Sequence, residues 1–120
     1  SHLALEPIIE IGINNLITRY VDNPLTKSIV CGGLEPFDSA NDLLDLVDTT
    51  REWYGIKDDI IIYTGYTEEE LQDNFTFQQI IKYPNIVIKF GRFRPGHNGH
   101  YDEVLGVKLS SENQYAKRYN

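Results

Sequence analysis

Apolar positions along the chain fall into a few runs whose spacing predicts the elements. Ile13, Leu16, Ile17, Tyr20 and Val21 recur as one helical face and Asn23-Pro24 ends the pattern, which predicts a helix over residues 12 to 22. Ahead of it, Ile8-Ile9-Glu10-Ile11 is β-prone and follows Pro7, so it reads as an edge strand or an extended lead-in. Ser28-Ile29-Val30-Cys31 is a short apolar run ended by Gly32-Gly33, the pattern of a strand buried on both faces. From Asp38 to about Tyr54, Leu43, Leu44, Val47, Arg51 and Tyr54 share one side of a long helix, with Asp38 or Ser39 as N-cap and Gly55 as its stop. Asp59 to Thr64 gives a central strand, and Thr67-Glu68-Glu69-Glu70 is a capping box that opens a short helix. Phe77, Ile80 and Ile81 carry a further helical turn or two to Tyr83-Pro84, and Asn85 to Phe90 forms a third apolar strand. Gly91 to Gly99 reads as a loop, Val104 to Leu109 as a late strand, and the polar tail after it receives no element.

Short apolar strands alternating with helices predict βαβ crossovers and a parallel sheet flanked by helices, an α/β fold. The 120 residues suit one domain with one core. Eighteen acidic against eleven basic residues give a net charge of −7, which repels phosphate backbones and anionic lipid, so nucleic acid and membrane are not expected partners. No apolar run reaches the ~18 residues of a membrane span, and the start lacks the pattern of a signal peptide, which points to the cytoplasm. The single cysteine, Cys31, forms no internal disulfide and cannot alone hold an iron–sulfur cluster or a cysteine-based zinc site. At the end of an apolar strand it reads as a small buried hydrophobe.

Ligands of parallel α/β sheets bind outside the carboxyl ends of the strands. Two loops leave strands in that direction, Gly32-Gly33-Leu34-Glu35-Pro36 and Thr64-Gly65-Tyr66-Thr67, and they should be neighbours on one rim. Glycines permit close approach to the backbone, and Glu35 offers an acceptor suited to an ammonium group. The plainer alternative is that Gly32-Gly33 only turns the chain and Glu35-Pro36 starts it toward the helix. Tyr63 and Tyr66 flank the rim and could stack on an adenine, although packing would equally explain Tyr63. Arg92 and Arg94 are placed to meet an anion or to pair with local acids. Glu68 to Glu70 suit a helix N-terminus. His97 and His100 could share an ion with His2, Asp102 or Glu103, but a glycine-rich loop does not pre-organise ligands, and no metal site is assigned.

At these residues the chain resembles a known family. Gly32-Gly33-Leu34-Glu35-Pro36 is similar to the Gly-Gly-Glu-Pro motif of radical S-adenosylmethionine enzymes, with Leu34 inserted. Asp59-Ile60-Ile61-Ile62-Tyr63-Thr64-Gly65-Tyr66-Thr67 followed by Glu69-Glu70-Leu71 is similar to a stretch of anaerobic ribonucleotide reductase activating proteins. Phe90-Gly91-Arg92-Phe93 and Ser110-Ser111-Glu112-Asn113-Gln114 resemble the same family, so the likeness runs from about Ile29 to Gln114.

The resemblance implies a partial β/α barrel in which three cysteines near the N-terminus hold a 4Fe-4S cluster that reductively cleaves S-adenosylmethionine. It further implies hydrogen abstraction from a glycine of a partner reductase. Gly32, Gly33 and Glu35 would then receive the methionine amino group, with Tyr63 and Thr64 completing the cofactor rim. The family's cysteine motif and first strand would precede Ser1, so the chain reads as the C-terminal part of such a protein, silent by itself and holding no tightly bound cofactor. The competing expectation is a non-catalytic interaction module or a small-ligand-binding α/β protein. A missing first strand would expose a sheet edge, to be covered by Ile8–Ile11 or by self-association.

Overall fold

The computed structural model describes residues 3–4, 28–32, 34–96 and 98–120. The helix expected over residues 12 to 22 and the Ile8–Ile11 segment lie outside these, as do Gly33, His97 and His2. In chain order the elements are β1 (Leu3–Ala4), β2 (Ser28–Cys31), a 3-10 turn (Pro36–Ser39), α1 (Ala40–Asp48), a π-helical turn (Thr49–Trp53), β3 (Asp59–Tyr63), α2 (Glu68–Leu71), α3 (Phe75–Ile80), β4 (Ile86–Phe90), β5 (His100–Asp102), β6 (Val107–Leu109) and β7 (Tyr115–Tyr119). One sheet has the order β1-β2-β3-β4-β7 and β5-β6 form a separate hairpin. The first four strands are parallel and β7 is antiparallel to β4, so the expected α/β class holds, as an open and mostly parallel sheet.

The register explains the core. Ile29 and Cys31 of β2, Ile60 and Ile62 of β3, and Ile86, Ile88 and Phe90 of β4 share one face. Leu43, Leu46 and Val47 of α1 and Phe77 and Ile80 of α3 join the same buried cluster. Side chains such as Ile62 and Ile88, with no exposed surface, each contribute about 1.5–3 kcal/mol. The opposite face is less covered: Val30 and Ile61 are half-buried and Tyr63 is exposed. The expectation of burial on both faces holds for β2 except at half-buried Val30 and fails for β3, which alternates, whereas all five residues of β4 are buried.

Several boundaries depart from the sequence pattern. The long helix is α-helical only to Asp48 and finishes in the π-helical turn. Ser39 makes no capping hydrogen bond; the cap belongs to Glu35, whose carboxylate accepts from the Phe37 N–H at 3.1 Å at the start of the 3-10 turn. The capping box at Thr67 and Glu70 is present with both of its hydrogen bonds. The late strand is one half of a hairpin, and the unassigned tail is β7, paired from Phe90↔Tyr115 to Ile86↔Tyr119.

Glu68 fixes β7 in place. Its carboxylate accepts from the Tyr115 hydroxyl at 3.0 Å, the Tyr119 hydroxyl at 3.1 Å and the Lys117 ammonium at 2.8 Å. The Lys117 contact is the main reason that the Glu68 carboxyl is held below the usual carboxylate range, against the opposing effect of burial. A depressed folded-state value means that this tie stabilises fully above the unfolded glutamate pKa of ~4.3 and is lost as the pH falls through the lower folded value. The expected outcome is an acid limb in the urea midpoint below about pH 4.3 that flattens in Glu68→Gln, with about 1 kcal/mol lost at neutral pH. Identical limbs in the two proteins would contradict it.

Candidate functional site

The three parallel strands β2, β3 and β4 end on one rim, and the loops leaving them are joined outside the ladder, by side chains and by a main-chain bond from the Gly91 N–H to the Tyr66 carbonyl. Glu35, three residues beyond Gly32, reaches the β3 loop: Oε2 accepts from the Thr64 hydroxyl at 2.8 Å and Oε1 from the Gly65 N–H at 2.7 Å. With the Phe37 N–H, three of the roughly four acceptor positions of the carboxylate are occupied. Thr64 is buried, and its hydroxyl in turn accepts from the Tyr66 N–H at 3.1 Å. The expected adjacency of the two glycine loops is thus present in the structure.

Lys89 supplies the third side of the rim. It is buried near the end of β4, and its Nζ donates to the carbonyls of Gly91 at 2.8 Å and Thr64 at 3.3 Å, with the Tyr63 ring 5.7 Å away. Desolvation pushes its pKa below the usual lysine value, and the Glu35 charge partly offsets this. Sequence reasoning missed Lys89, although a lone charge inside the run Ile86-Val87-Ile88-Lys89-Phe90 was the available signal.

Further out, the Tyr66 hydroxyl donates to Asp38 at 2.7 Å, and this bond raises the phenol's pKa. The Arg92 guanidinium lies 5.5 Å from the Tyr66 ring centre and pairs with Glu70 at 3.4 Å, so Arg92 does meet a local acid. A Cβ at Gly65 would sit 3.2 Å from Arg92 Cγ, a tight contact to which that exposed side chain would have to yield, and 3.5 Å from Glu35 Oε1, an ordinary one. Tyr63 is partly exposed on the less covered sheet face, and burial is the main cause of its raised pKa.

The segment from Ser111 to Gln114 braces the β4 exit. Gln114 Nε2 donates to the Gly91 carbonyl at 3.2 Å, Asn113 Nδ2 to the Arg92 carbonyl at 2.8 Å, and the Arg94 N–H to the Ser111 hydroxyl at 3.2 Å. Gly91 adopts a φ of 100°, where a side chain would be strained, and a Cβ would lie 3.1 Å from the Asn113 carbonyl oxygen.

His100 and Asp102 are engaged in the fold. His100 Nε2 meets the Gln114 carbonyl, and Asp102 accepts from the N–H groups of Leu105 at 2.8 Å and Ala116 at 3.1 Å. Among the described residues no group of three or more His, Cys, Asp or Glu side chains could hold a metal ion, and no helix is long and apolar enough to cross a membrane. Cys31 has no exposed surface and belongs to the apolar cluster under α1.

Of the residues expected at the cofactor rim, Glu35 and Thr64 are joined by a hydrogen bond, Gly32 is half-buried and the Tyr63 ring lies beside the Lys89 ammonium. A family model described as a 4Fe-4S single cluster domain matches residues 7–116. No curated protein and no solved structure matches the chain.

Proposed function

We propose, from the premise that the chain belongs to the 4Fe-4S single cluster domain family, that it is part of a radical S-adenosylmethionine iron–sulfur protein of the glycyl-radical activase type. The observation that carries this reading is the Glu35 carboxylate bridging two glycine loops at the carboxyl ends of β2 and β3, where a ligand of such a sheet belongs. In this reading Gly32, Gly33 and Glu35 receive the amino acid end of S-adenosylmethionine, and Tyr63 and Thr64 complete the rim. The partner is a glycyl-radical reductase, and the compartment is the reducing cytoplasm.

The residues of this chain do not fit the cluster itself. A 4Fe-4S centre needs several thiolates converging on it, whereas the sequence holds one cysteine, and that side chain is buried among Ile29, Ile60 and Ile62. The chain by itself then contributes binding and positioning, and no chemical step is assigned to it.

The test is the gene's full product purified without oxygen. We expect three cysteines ahead of the present Ser1, about four irons and four sulfides per protein, and conversion of S-adenosylmethionine to methionine and 5′-deoxyadenosine under a reductant. A product whose only cysteine is Cys31 and that takes up no iron overturns this reading and leaves a small-ligand-binding module.

A further inference from the structure

Where β3 and β4 part, the ladder fails in a specific way. The Thr64 N–H still pairs with the Lys89 carbonyl at 2.9 Å. Continuing a parallel ladder would next join the Gly91 N–H to the Thr64 carbonyl and the Tyr66 N–H to the Gly91 carbonyl. Instead the Gly91 N–H takes the Tyr66 carbonyl at 3.0 Å, and the Tyr66 N–H takes the Thr64 hydroxyl. The two carbonyls left over, Thr64 and Gly91, are the two that receive the Lys89 ammonium. One peptide group, Thr64–Gly65, is consequently held at both ends by opposite charges, its C=O by Lys89 of β4 and its N–H by Glu35 of the loop after β2. The peptide dipole lies in the favourable sense between them.

We infer that Lys89 is the positioning residue of this rim, its side chain replacing the two missing ladder bonds so that β3 and β4 separate and the Thr64–Gly65 peptide stays fixed at the rim. An apolar residue here would take the ammonium from the Thr64 carbonyl and leave the Gly91 carbonyl with the Gln114 amide alone, and the strands would either close again or fluctuate. The burial of an ammonium in a strand of otherwise apolar residues is tolerated because both carbonyls and the nearby Glu35 charge compensate it. The link from this geometry to a ligand rests on the S-adenosylmethionine reading above.

Two measurements test it. In the unchanged protein, NMR should show slowly exchanging Lys89 ammonium protons coupled to the Thr64 and Gly91 carbonyl carbons. An ammonium that exchanges with solvent as fast as that of exposed Lys82 would overturn the inference. In Lys89→Met, of similar volume, amide exchange at Gly65 and Gly91 should rise at least about tenfold while β3 core amides stay unchanged, with Lys89→Arg restoring protection. Titration of the gene's full product, purified without oxygen, with S-adenosylmethionine should show at least about tenfold weaker binding in Lys89→Met than in the unchanged product. If the unchanged full product gives no heat with S-adenosylmethionine but the exchange pattern changes as stated, the activase reading falls and the positioning role stands. Equal affinity and equal exchange in both proteins would overturn the positioning role and leave the activase reading intact.

Discussion

Arg51→Ala is expected to lower the free energy of unfolding by about 3–5 kcal/mol, a large share of the ~5–15 kcal/mol available to a domain of this size. Arg51 lies in the π-helical turn after α1 and is buried. Its guanidinium makes four hydrogen bonds to three main-chain carbonyls: Nη1 to Ile56 at 2.7 Å, Nε and Nη2 to Pro84 at 3.2 and 3.0 Å, and Nη2 to Asn85 at 3.2 Å. These carbonyls belong to the turns that feed β3 and β4, and Asn85 has the left-handed φ of 59°. Alanine removes every side-chain donor at once and frees the two partly buried turns that the fork ties together, although the Asn85 carbonyl keeps the Ile60 N–H at 3.0 Å. Lysine keeps the charge but not the planar fork, so Arg51→Lys should lose about 2 kcal/mol. Urea unfolding of the three proteins decides the matter, and a loss under about 1 kcal/mol for alanine would show that water or a neighbour replaces the fork.

Phe77→Ala is the second large expected loss, about 3–5 kcal/mol. Its ring stands 6.2 Å from that of Phe37, 6.2 Å from that of Phe90 and 6.0 Å from that of Tyr119, the last edge-on. One side chain from α3 thereby touches the turn before α1, the end of β4 and the sheet's last strand. Removing it opens a cavity among elements already fixed by other contacts, which limits collapse. Phe77→Leu should cost less than about 1.5 kcal/mol because most of the volume remains. Near-ultraviolet circular dichroism adds an independent readout: the alanine protein should lose aromatic signal in the folded state, since the Tyr119 and Phe90 rings lose their shared neighbour. A full signal with unchanged stability would mean that the cluster repacks without Phe77.

How much of this was legible in the sequence depended on whether a residue's partners lie nearby in the chain. β2, β3 and β4 were legible because Ile29-Val30, Ile60-Ile61-Ile62 and Ile86-Val87-Ile88 are apolar runs closed by glycine. The capping box at Thr67 and Glu70 was legible because both its partners sit within one turn. β7 was not, because Tyr115-Ala116-Lys117-Arg118-Tyr119 reads as a polar tail until Glu68, far earlier in sequence, is seen to accept from three of its side chains. Glu35 was recognised as a rim residue, but its sign alone could not show that most of its acceptor positions are taken by Thr64, Gly65 and Phe37. Lys89 escaped notice for the complementary reason: a charge in an apolar run is read as the point where a strand becomes exposed, and here the charge is what the end of the ladder requires.

The reversed direction of β7 decides where the chain's far end emerges. From Tyr115 beside Phe90 the strand descends to Tyr119 beside Ile86, and the Asn120 amide then donates to the Ile81 carbonyl at 2.6 Å on the edge opposite the rim. A fluorophore, a biotin or any polypeptide joined after Asn120 therefore departs from the side of the sheet remote from Gly32, Glu35 and Lys89. Immobilising the protein through that end presents the rim to solution, which makes it the end of choice for attachment when small-molecule binding is to be measured on a surface.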